Sequence, residues 1–433
     1  MLFKDLKNKT IAVFGMGKEG SAVLHRLNVL FPEKKIGIIQ EDNARDCSLY
    51  DVIFKSPGVS LYHQEIVKAA QKGCVITSGL NLYLANKKAG VTTIGITGTK
   101  GKSTTSALTA HLLKAFGFKT GLGGNYGIPA IEFVDRDLDY FVIEVSSYQA
   151  ANLAYDFDEA LVLNLYPEHF DWHRSHEQYY KDKLNILNHA KLCYGNFSDK
   201  TLPLYLENRP VRFFNTPDGV HFENGWFMKG KCLLFSAEGV RLKGEHNLSD
   251  ICAALSLLDG LGVDIKDKRC EEAVKSFESL PHRLQTIYET ADSRLKFVDD
   301  SISTIPQTAV MALKAFDGVP RLLIAGGLDR KQDFTPLVMY LKEHDVKLVT
   351  LPDTGERLYE QAIKAGVTAQ KATTMEQAVK LSCQLLHKGI VLLSPASPSY
   401  NMYKDFQARG EDFKKCVFLL FSDDNHDKNL LQL

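Results

Sequence analysis

The sequence has no excess of either charge: 52 lysines and arginines stand against 52 aspartates and glutamates. No global field therefore argues for a nucleic acid or an anionic membrane surface as partner. It also lacks any apolar run near the roughly twenty residues that a membrane span requires. Its eight cysteines, at 47, 74, 193, 232, 252, 270, 383 and 416, include no C-x-x-C pair, and the first residues lack the basic-then-apolar pattern of a secretory signal. These absences lead us to expect reduced thiols in a cytoplasmic protein without nucleic-acid or membrane partners. At 433 residues the chain exceeds one ordinary core, so two or three domains are expected.

What is present is organised around Thr93-Ile-Gly-Ile-Thr-Gly-Thr-Lys-Gly-Lys-Ser-Thr-Thr105. Val91 to Ile96 reads as a buried strand and Gly98 to Gly101 as a tight loop. Ser103 to Phe116, apolar at Ala107, Leu108, Leu112 and Leu113, reads as an amphipathic helix. A helix start preceded by glycines points unpaired N–H groups and the positive end of a dipole at one place, which suits a polyphosphate. Lys102 would then meet the β- and γ-phosphates of ATP and the Ser103 hydroxyl a Mg²⁺ ion. The standard P-loop has a glycine five residues before Gly101, where this chain has Ile96.

Ahead of it, the strand Thr10 to Phe14 runs into Gly15-Met16-Gly17-Lys18-Glu19-Gly20, a full G-x-G-x-x-G opening the helix Ser21 to Leu30, an arrangement that holds a pyrophosphate. A second strand, Lys35 to Gln40, ends in Glu41 and Asp42, and a third, Asp51 to Lys55, stops at Ser56-Pro57-Gly58. Residues 1–90 thus read as a small nucleotide-binding domain. Beyond the P-loop come a glycine-rich loop, Leu122 to Pro129, with Asn125 as its polar member, and the strand Asp139 to Glu144, whose single acid is placed to hold Mg²⁺. The strand Ala160 to Pro167 leads into Glu168-His-Phe-Asp-Trp-His-Arg-Ser-His176. Its spacing fits no standard zinc pattern, so Mg²⁺ or substrate is the reading for His169. Tyr179 and Lys183 follow, four apart on one helix face, where a lysine is normally solvated. Residues 190–243 are short β-like runs without nameable chemistry, and a helix spans Ile251 to Leu261. From about 286 the alternation restarts, with strands at Leu295 to Asp299, Arg321 to Ala325, Val346 to Leu351 and Gly389 to Leu393 and helices near 306–316, 334–343, 355–365, 375–387 and 401–417.

Taken in order, Gly98 to Thr104, Gly123-Gly-Asn125, Glu144 to Ser147, Pro167-Glu-His169, Tyr179 to Lys183, Glu245-His-Asn247, Leu280-Pro-His-Arg283, Asp299-Asp-Ser301 and Ser394 to Phe406 resemble the Mur ligases nearly end to end. The resemblance implies an α/β protein of three domains: a Rossmann-like UDP-binding domain (1–90), a P-loop ATPase-like centre (91–285) and a Rossmann-like glutamate-binding domain (286–433). It implies an ATP-dependent, monomeric ligase of peptidoglycan precursor synthesis that joins glutamate to UDP-N-acetylmuramoyl-L-alanine through an acyl phosphate. By resemblance, Gly98, Thr99, Lys100, Gly101, Lys102, Ser103 and Thr104 hold the phosphates, and Asn247, Arg283 and Asp300 hold adenine, ribose or phosphates. Ser103 and Glu144 would hold one Mg²⁺, with His169 and a carbamylated Lys183 at a second. Gly15 to Gly20 and Ser56 to Gly58 would take the UDP, and Asn125 and Tyr179 the muramoyl substrate. Thr304, Arg330, Ser399 and Phe406 would grip glutamate.

Two departures bear on the isomer: Ile302 stands where enzymes adding D-glutamate carry a lysine, and Arg330 replaces another lysine; a third, Asp250 in place of an asparagine, would weaken or re-aim a nucleotide contact. An aliphatic chain cannot replace an ammonium, and arginine grips a carboxylate with different geometry. The Asp-Ser-Ile-Ser-Thr run resembles the branch adding L-glutamate, the isomer favoured here over D-glutamate. A folylpolyglutamate synthase leaves residues 1–90 unexplained, and a dinucleotide oxidoreductase leaves the P-loop idle. A non-catalytic nucleotide sensor would need Lys183 or His169 to be dispensable.

Overall fold

The computed structural model describes residues 1–166, 168, 170–206, 209–242 and 244–422. They form two compact units, Met1–Arg241 with His246–Phe277, and Leu242–Glu245 with Glu278–Leu433.

In the first unit, β1 (Ile11–Phe14), β2 (Gly37–Ile39), β3 (Val52–Lys55) and β4 (Val75–Thr77) make a parallel sheet in the order β2-β1-β3-β4. A second sheet takes β5 (Thr92–Thr97), β6 (Thr120–Gly124), β7 (Tyr140–Glu144), β8 (Phe157–Val162), β9 (Ala190–Asn196) and β10 (Val211–Phe214) in the order β10-β9-β8-β5-β7-β6, all parallel. One apolar core runs through both: Ile11, Val13, Val52 and Phe54 share it with Phe141, Ile143, Phe157 and Ala160. β5 is central, and Gly95 within it lets neighbours close in, since a Cβ there would lie 3.0 Å from Ile186 and 3.1 Å from Phe157. β11 (Val220–Glu223), β12 (Trp226–Lys229) and β13 (Cys232–Ser236) form a separate antiparallel sheet.

The glycine-rich stretch from Leu122, expected as a loop, begins inside the edge strand β6. Glycines are what the packing demands there, because a Cβ on Gly123 would meet the Ile128 carbonyl oxygen at 2.6 Å.

The second unit holds β14 (Gln285–Glu289), β15 (Leu295–Asp299), β16 (Arg321–Gly326), β17 (Lys347–Leu351), β18 (Ala369–Lys371) and β19 (Gly389–Leu393), in the order β14-β15-β19-β16-β17-β18. All pairs are parallel except β14 with β15. Alternate strand residues feed two cores, as the two-residue period requires. Val298, Leu323, Leu348 and Leu392 pack with the helices Pro306–Lys314, Thr335–Glu343 and Thr354–Ala365 on one face. Phe297, Leu322, Val349 and Val391 pack with Met375–Leu385 and Phe406–Ser422 on the other. That is the doubly wound arrangement expected. The last helix starts at Phe406 rather than near 401, because Ser399 to Lys404 first turn back, with the Tyr403 N–H donating to the Ser399 carbonyl at 2.9 Å. Among the described residues no helix is long and apolar enough to cross a membrane.

Candidate active site

The P-loop leaves β5 at Thr97 and enters the helix Lys102–Ala115 through Gly101, whose φ of +83° suits glycine. Asn164, just past β8, fixes the loop. Its side-chain oxygen accepts from the Lys100 N–H at 2.8 Å, its amide donates to the Lys100 carbonyl at 3.1 Å, and its own carbonyl accepts from the Thr99 N–H at 3.1 Å. The Thr99 hydroxyl pairs with that of Tyr179 at 2.9 Å.

Two lysines converge on this turn. Lys102 Nζ donates to the Gly98 and Thr99 carbonyls at 2.9 and 3.0 Å, and Lys183 Nζ to the same Gly98 carbonyl at 2.9 Å. Lys183 is 2% exposed, so a solvated position is ruled out. Its helix, His176–Leu184, buries the face carrying Tyr179, Tyr180 and Lys183, and so brings the lysine under the loop. Burial first, and the Lys102 charge second, hold its amine well below the usual lysine range. Glu144 closes β7 directly beside Ile96 of β5. Its Oε2 accepts from the Ser103 hydroxyl at 2.5 Å and its Oε1 from the Asn125 amide at 2.6 Å. Lys100 pairs with Glu168 at 2.6 Å. Thr104 is buried in the first helical turn, and Asp250 crowds Gly101, where a Cβ would lie 2.4 Å from its Oδ1. His169 lies outside the described residues.

A cavity of about 380 Å³ is walled by Gly15, Gly17, Lys18, Glu19, Ser56, Pro57 and Gly58 from the first sheet's strand ends, together with Asn125. Two segments forty residues apart and an asparagine from the second sheet are thereby assembled. Gly20 shapes the turn instead, since a Cβ there would sit 2.0 Å from the Gly15 carbonyl oxygen, and Met16 packs onto the core. Tyr179, expected at the muramoyl group, points its hydroxyl at Thr99. Burial raises the Glu19 carboxyl to about 7 and lowers the Lys55 amine to about 8.

Behind this cavity lies a network that reading the sequence missed. His173, fully buried, bonds through Nδ1 to Asp182 at 2.6 Å and through Nε2 to Ser147 at 3.0 Å. Asp182 also accepts from Tyr62 at 2.7 Å and Gln178 at 2.7 Å, and Trp172 Nε1 donates to the Pro57 carbonyl at 3.0 Å. The signal available was a second histidine and a tryptophan within the 168–176 run, which spacing alone could not assign.

In the second unit Asp300 and Arg283 come within electrostatic reach, and the Ser394 hydroxyl donates to Asp300 at 2.8 Å. Burial lifts the Asp300 carboxyl to about 7. His282 is held by Asp299 at 2.7 Å, a bond that raises its pKa. The loops after β16 and β19 are stitched together by Gly326 N–H to the Pro395 carbonyl (2.9 Å) and Leu328 N–H to the Pro398 carbonyl (2.8 Å). Ser399 and Arg330 are thus carried at one edge, Ser399 buried and Arg330 exposed. Phe406 joins them through its carbonyl, which accepts from the Ser301 hydroxyl at 2.8 Å, while Thr304 lies three residues past Ser301. Asn247 is buried in the first unit.

Residues 96–258 match the Mur ligase middle domain. Over 96% of its length the chain is 35% identical to 98% of a protein of Micromonospora named UDP-N-acetylmuramoyl-L-alanine–L-glutamate ligase. The chain belongs to the Mur ligase family. A protein of the same name from Xanthomonas campestris is 33% identical, over 95% of this Mur ligase and 96% of its own length. Among solved structures, a pseudomurein peptide ligase type C from Methanothermus fervidus aligns with a TM-score of 0.60 at 15% identity, over 95% of this chain and all of that one. The UDP-N-acetylmuramate–alanine ligase of Thermotoga maritima aligns with a TM-score of 0.59 at 16% identity, over 96% and 100%. These likenesses show the mixed α/β fold with parallel sheets. Membership makes this chain an ATP-dependent amide ligase.

Proposed function

We propose that the chain joins L-glutamate to UDP-N-acetylmuramoyl-L-alanine, with ATP as energy source, in making the peptidoglycan precursor. The observation that carries the reading is the convergence of Lys102 and Lys183 on the Gly98 carbonyl beside the Ser103–Glu144 pair. Those two oxygens are hard donors and fit Mg²⁺. Bound there, the ion would neutralise phosphate charge. Lys102 would leave the loop carbonyls for the β- and γ-phosphates of ATP, and the N–H groups of the Lys102 helix would meet the same anions. The alanyl carboxylate attacks the γ-phosphorus, ADP leaves, and the glutamate amine displaces phosphate from the acyl phosphate.

Lys183 is the strongest candidate for modification. Its amine, once deprotonated, can attack CO₂, forming an N–C bond and releasing a proton, and the carbamate so formed would be a carboxylate-like donor for a second Mg²⁺ shared with His169. The cavity beside Gly15 to Glu19 and Ser56 to Gly58 is the proposed UDP-muramoyl site. Thr304, Arg330, Ser399 and Phe406 are the proposed glutamate grip, and Asn247, Arg283 and Asp300 the nucleotide contacts. We retain 1–90, 91–285 and 286–433 as the functional division, with the enzyme monomeric and cytoplasmic.

The isomer rests on Ile302, Arg330 and the names of the relatives. A folylpolyglutamate synthase of Mycobacterium tuberculosis also shares the fold, with a TM-score of 0.58 at 14% identity, but over only 79% of this chain. The test is ADP release from the purified protein with UDP-N-acetylmuramoyl-L-alanine and either isomer. Turnover with L-glutamate is expected; turnover with D-glutamate alone overturns the isomer, and turnover with neither overturns the reading.

A further inference from the structure

Arg409 is among the largest fully buried side chains of the protein, at 1% exposure, and no sequence motif singled it out. Its Nε donates to the Ser301 hydroxyl at 3.0 Å and one terminal nitrogen, Nη2, to the Ser301 carbonyl at 2.7 Å. The other, Nη1, donates to the Ser397 carbonyl at 3.0 Å and, at 3.5 Å, to that of Gly326. These acceptors belong to three different turns. Ser301 lies two residues past the end of β15, Gly326 closes β16, and Ser397 lies four residues past the end of β19. The three strands are neighbours in the order β15-β19-β16.

The chain also makes room for this guanidinium. Gly327, at φ +149°, passes so close that a Cβ there would lie 2.2 Å from the Pro398 carbonyl oxygen and 3.1 Å from Arg409 Nη1. The bonds above all go to carbonyl or hydroxyl oxygens, and Asp299 and Asp300 act on the cation only through their nearby charges. Taking a cation out of water is costly unless polar contacts offset the loss of hydration. Four contacts spread over three turns repay it in a way that a lysine's single ammonium cannot, because only the planar fork presents donors in fixed and divergent directions.

We propose that Arg409 is a positioning residue for the incoming amino acid: it sets the spacing of the three turns that lead to Thr304, Arg330 and Ser399. Thr304 is three residues beyond Ser301, Arg330 four beyond Gly326, and Ser399 two beyond Ser397. The inference rests on the reading of those residues as the glutamate grip. Arg409 itself would touch no substrate, because its three side-chain nitrogens are all engaged by the three turns. It acts through the turns.

The test is steady-state ligation by the full chain carrying R409K, S301A or R330A, with glutamate and ATP varied separately and a thermal melt of each variant. R409K is expected to raise the glutamate KM about tenfold or more and the ATP KM less than about twofold. S301A removes the hydroxyl met by Nε together with its bond to the Phe406 carbonyl, and should raise the glutamate KM about threefold. If R409K does not fold, R409Q, which leaves the Ser301 hydroxyl on the Phe406 carbonyl, decides by the same split. Equal rises in both KM values show general loosening of the unit and overturn the inference. A raised glutamate KM in R330A, with none in R409K or S301A, overturns the positioning role alone. No change in any of the three overturns the glutamate site and the inference together.

Discussion

The two units each end a six-stranded sheet in a carboxyl edge rich in glycines and hydroxyls, yet they treat their buried cation differently. In the first unit Lys102 and Lys183 reach the P-loop on long unbranched stems and bond only to backbone carbonyls of that one turn among the bonds described. In the second, Arg409 is locked into three turns at once. An ammonium is a movable point charge and a guanidinium a rigid multipoint fork. Two sheets of different strand order thus place a cation in two different ways: on a movable stem at one carboxyl edge, and as scaffolding at the other.

The comparison breaks first at Lys183. Lys183→Ala should lower ligation by about 10³-fold. Bicarbonate should restore part of the lost rate if a small carboxylate can occupy the gap. Full activity in the alanine variant would remove the metal role from Lys183. Next in size is Arg330→Ala, in which the glutamate KM should rise by about 10²-fold with the ATP KM little changed, since a carboxylate loses a paired cation. An equal effect on both would erase the functional difference between the edges.

A smaller effect concerns buried charge away from either edge. Burial raises the Glu159 carboxyl from 4.5 to about 8, with a hydrogen bond from Tyr194 opposing the shift. The folded chain then keeps a proton that the unfolded chain has released, so this contribution is complete below about pH 4.5 and is lost as pH rises towards 8. Glu159→Gln should flatten the fall of the unfolding midpoint across that window, as followed by calorimetry; an unchanged slope would assign it to other groups. The smallest effect is expected from Tyr62→Phe. It removes the hydroxyl donated to Asp182 and should cost about 1 kcal/mol of stability in denaturant melts, with Lys183 still in place.

Most of the fold was legible because its signals are local. β19 falls on the apolar run Ile390 to Leu393 and β15 on Leu295, Phe297 and Val298 between turn residues, and the P-loop helix follows a glycine whose backbone needs φ above zero. β6 was hidden because three of its five residues are glycines, which carry no hydrophobic signal and are there for close packing. β14 was hidden because Gln285 to Glu289 is largely polar and half-exposed, and becomes a strand only by pairing antiparallel with β15.

At the candidate site the sequence by itself determined the chemistry on offer: which glycines, lysines, acids and hydroxyls the chain brings, in what order, and on which strand or helix end. That follows because propensity and turn geometry act over a few residues. Only tertiary structure decided that Lys183 is buried rather than solvated, that Asn164 clamps the loop, that His173 and Asp182 join Ser147, and that Arg409 ties three turns. Each of these depends on groups far apart in the chain meeting where water is excluded, and no short-range pattern records such a meeting.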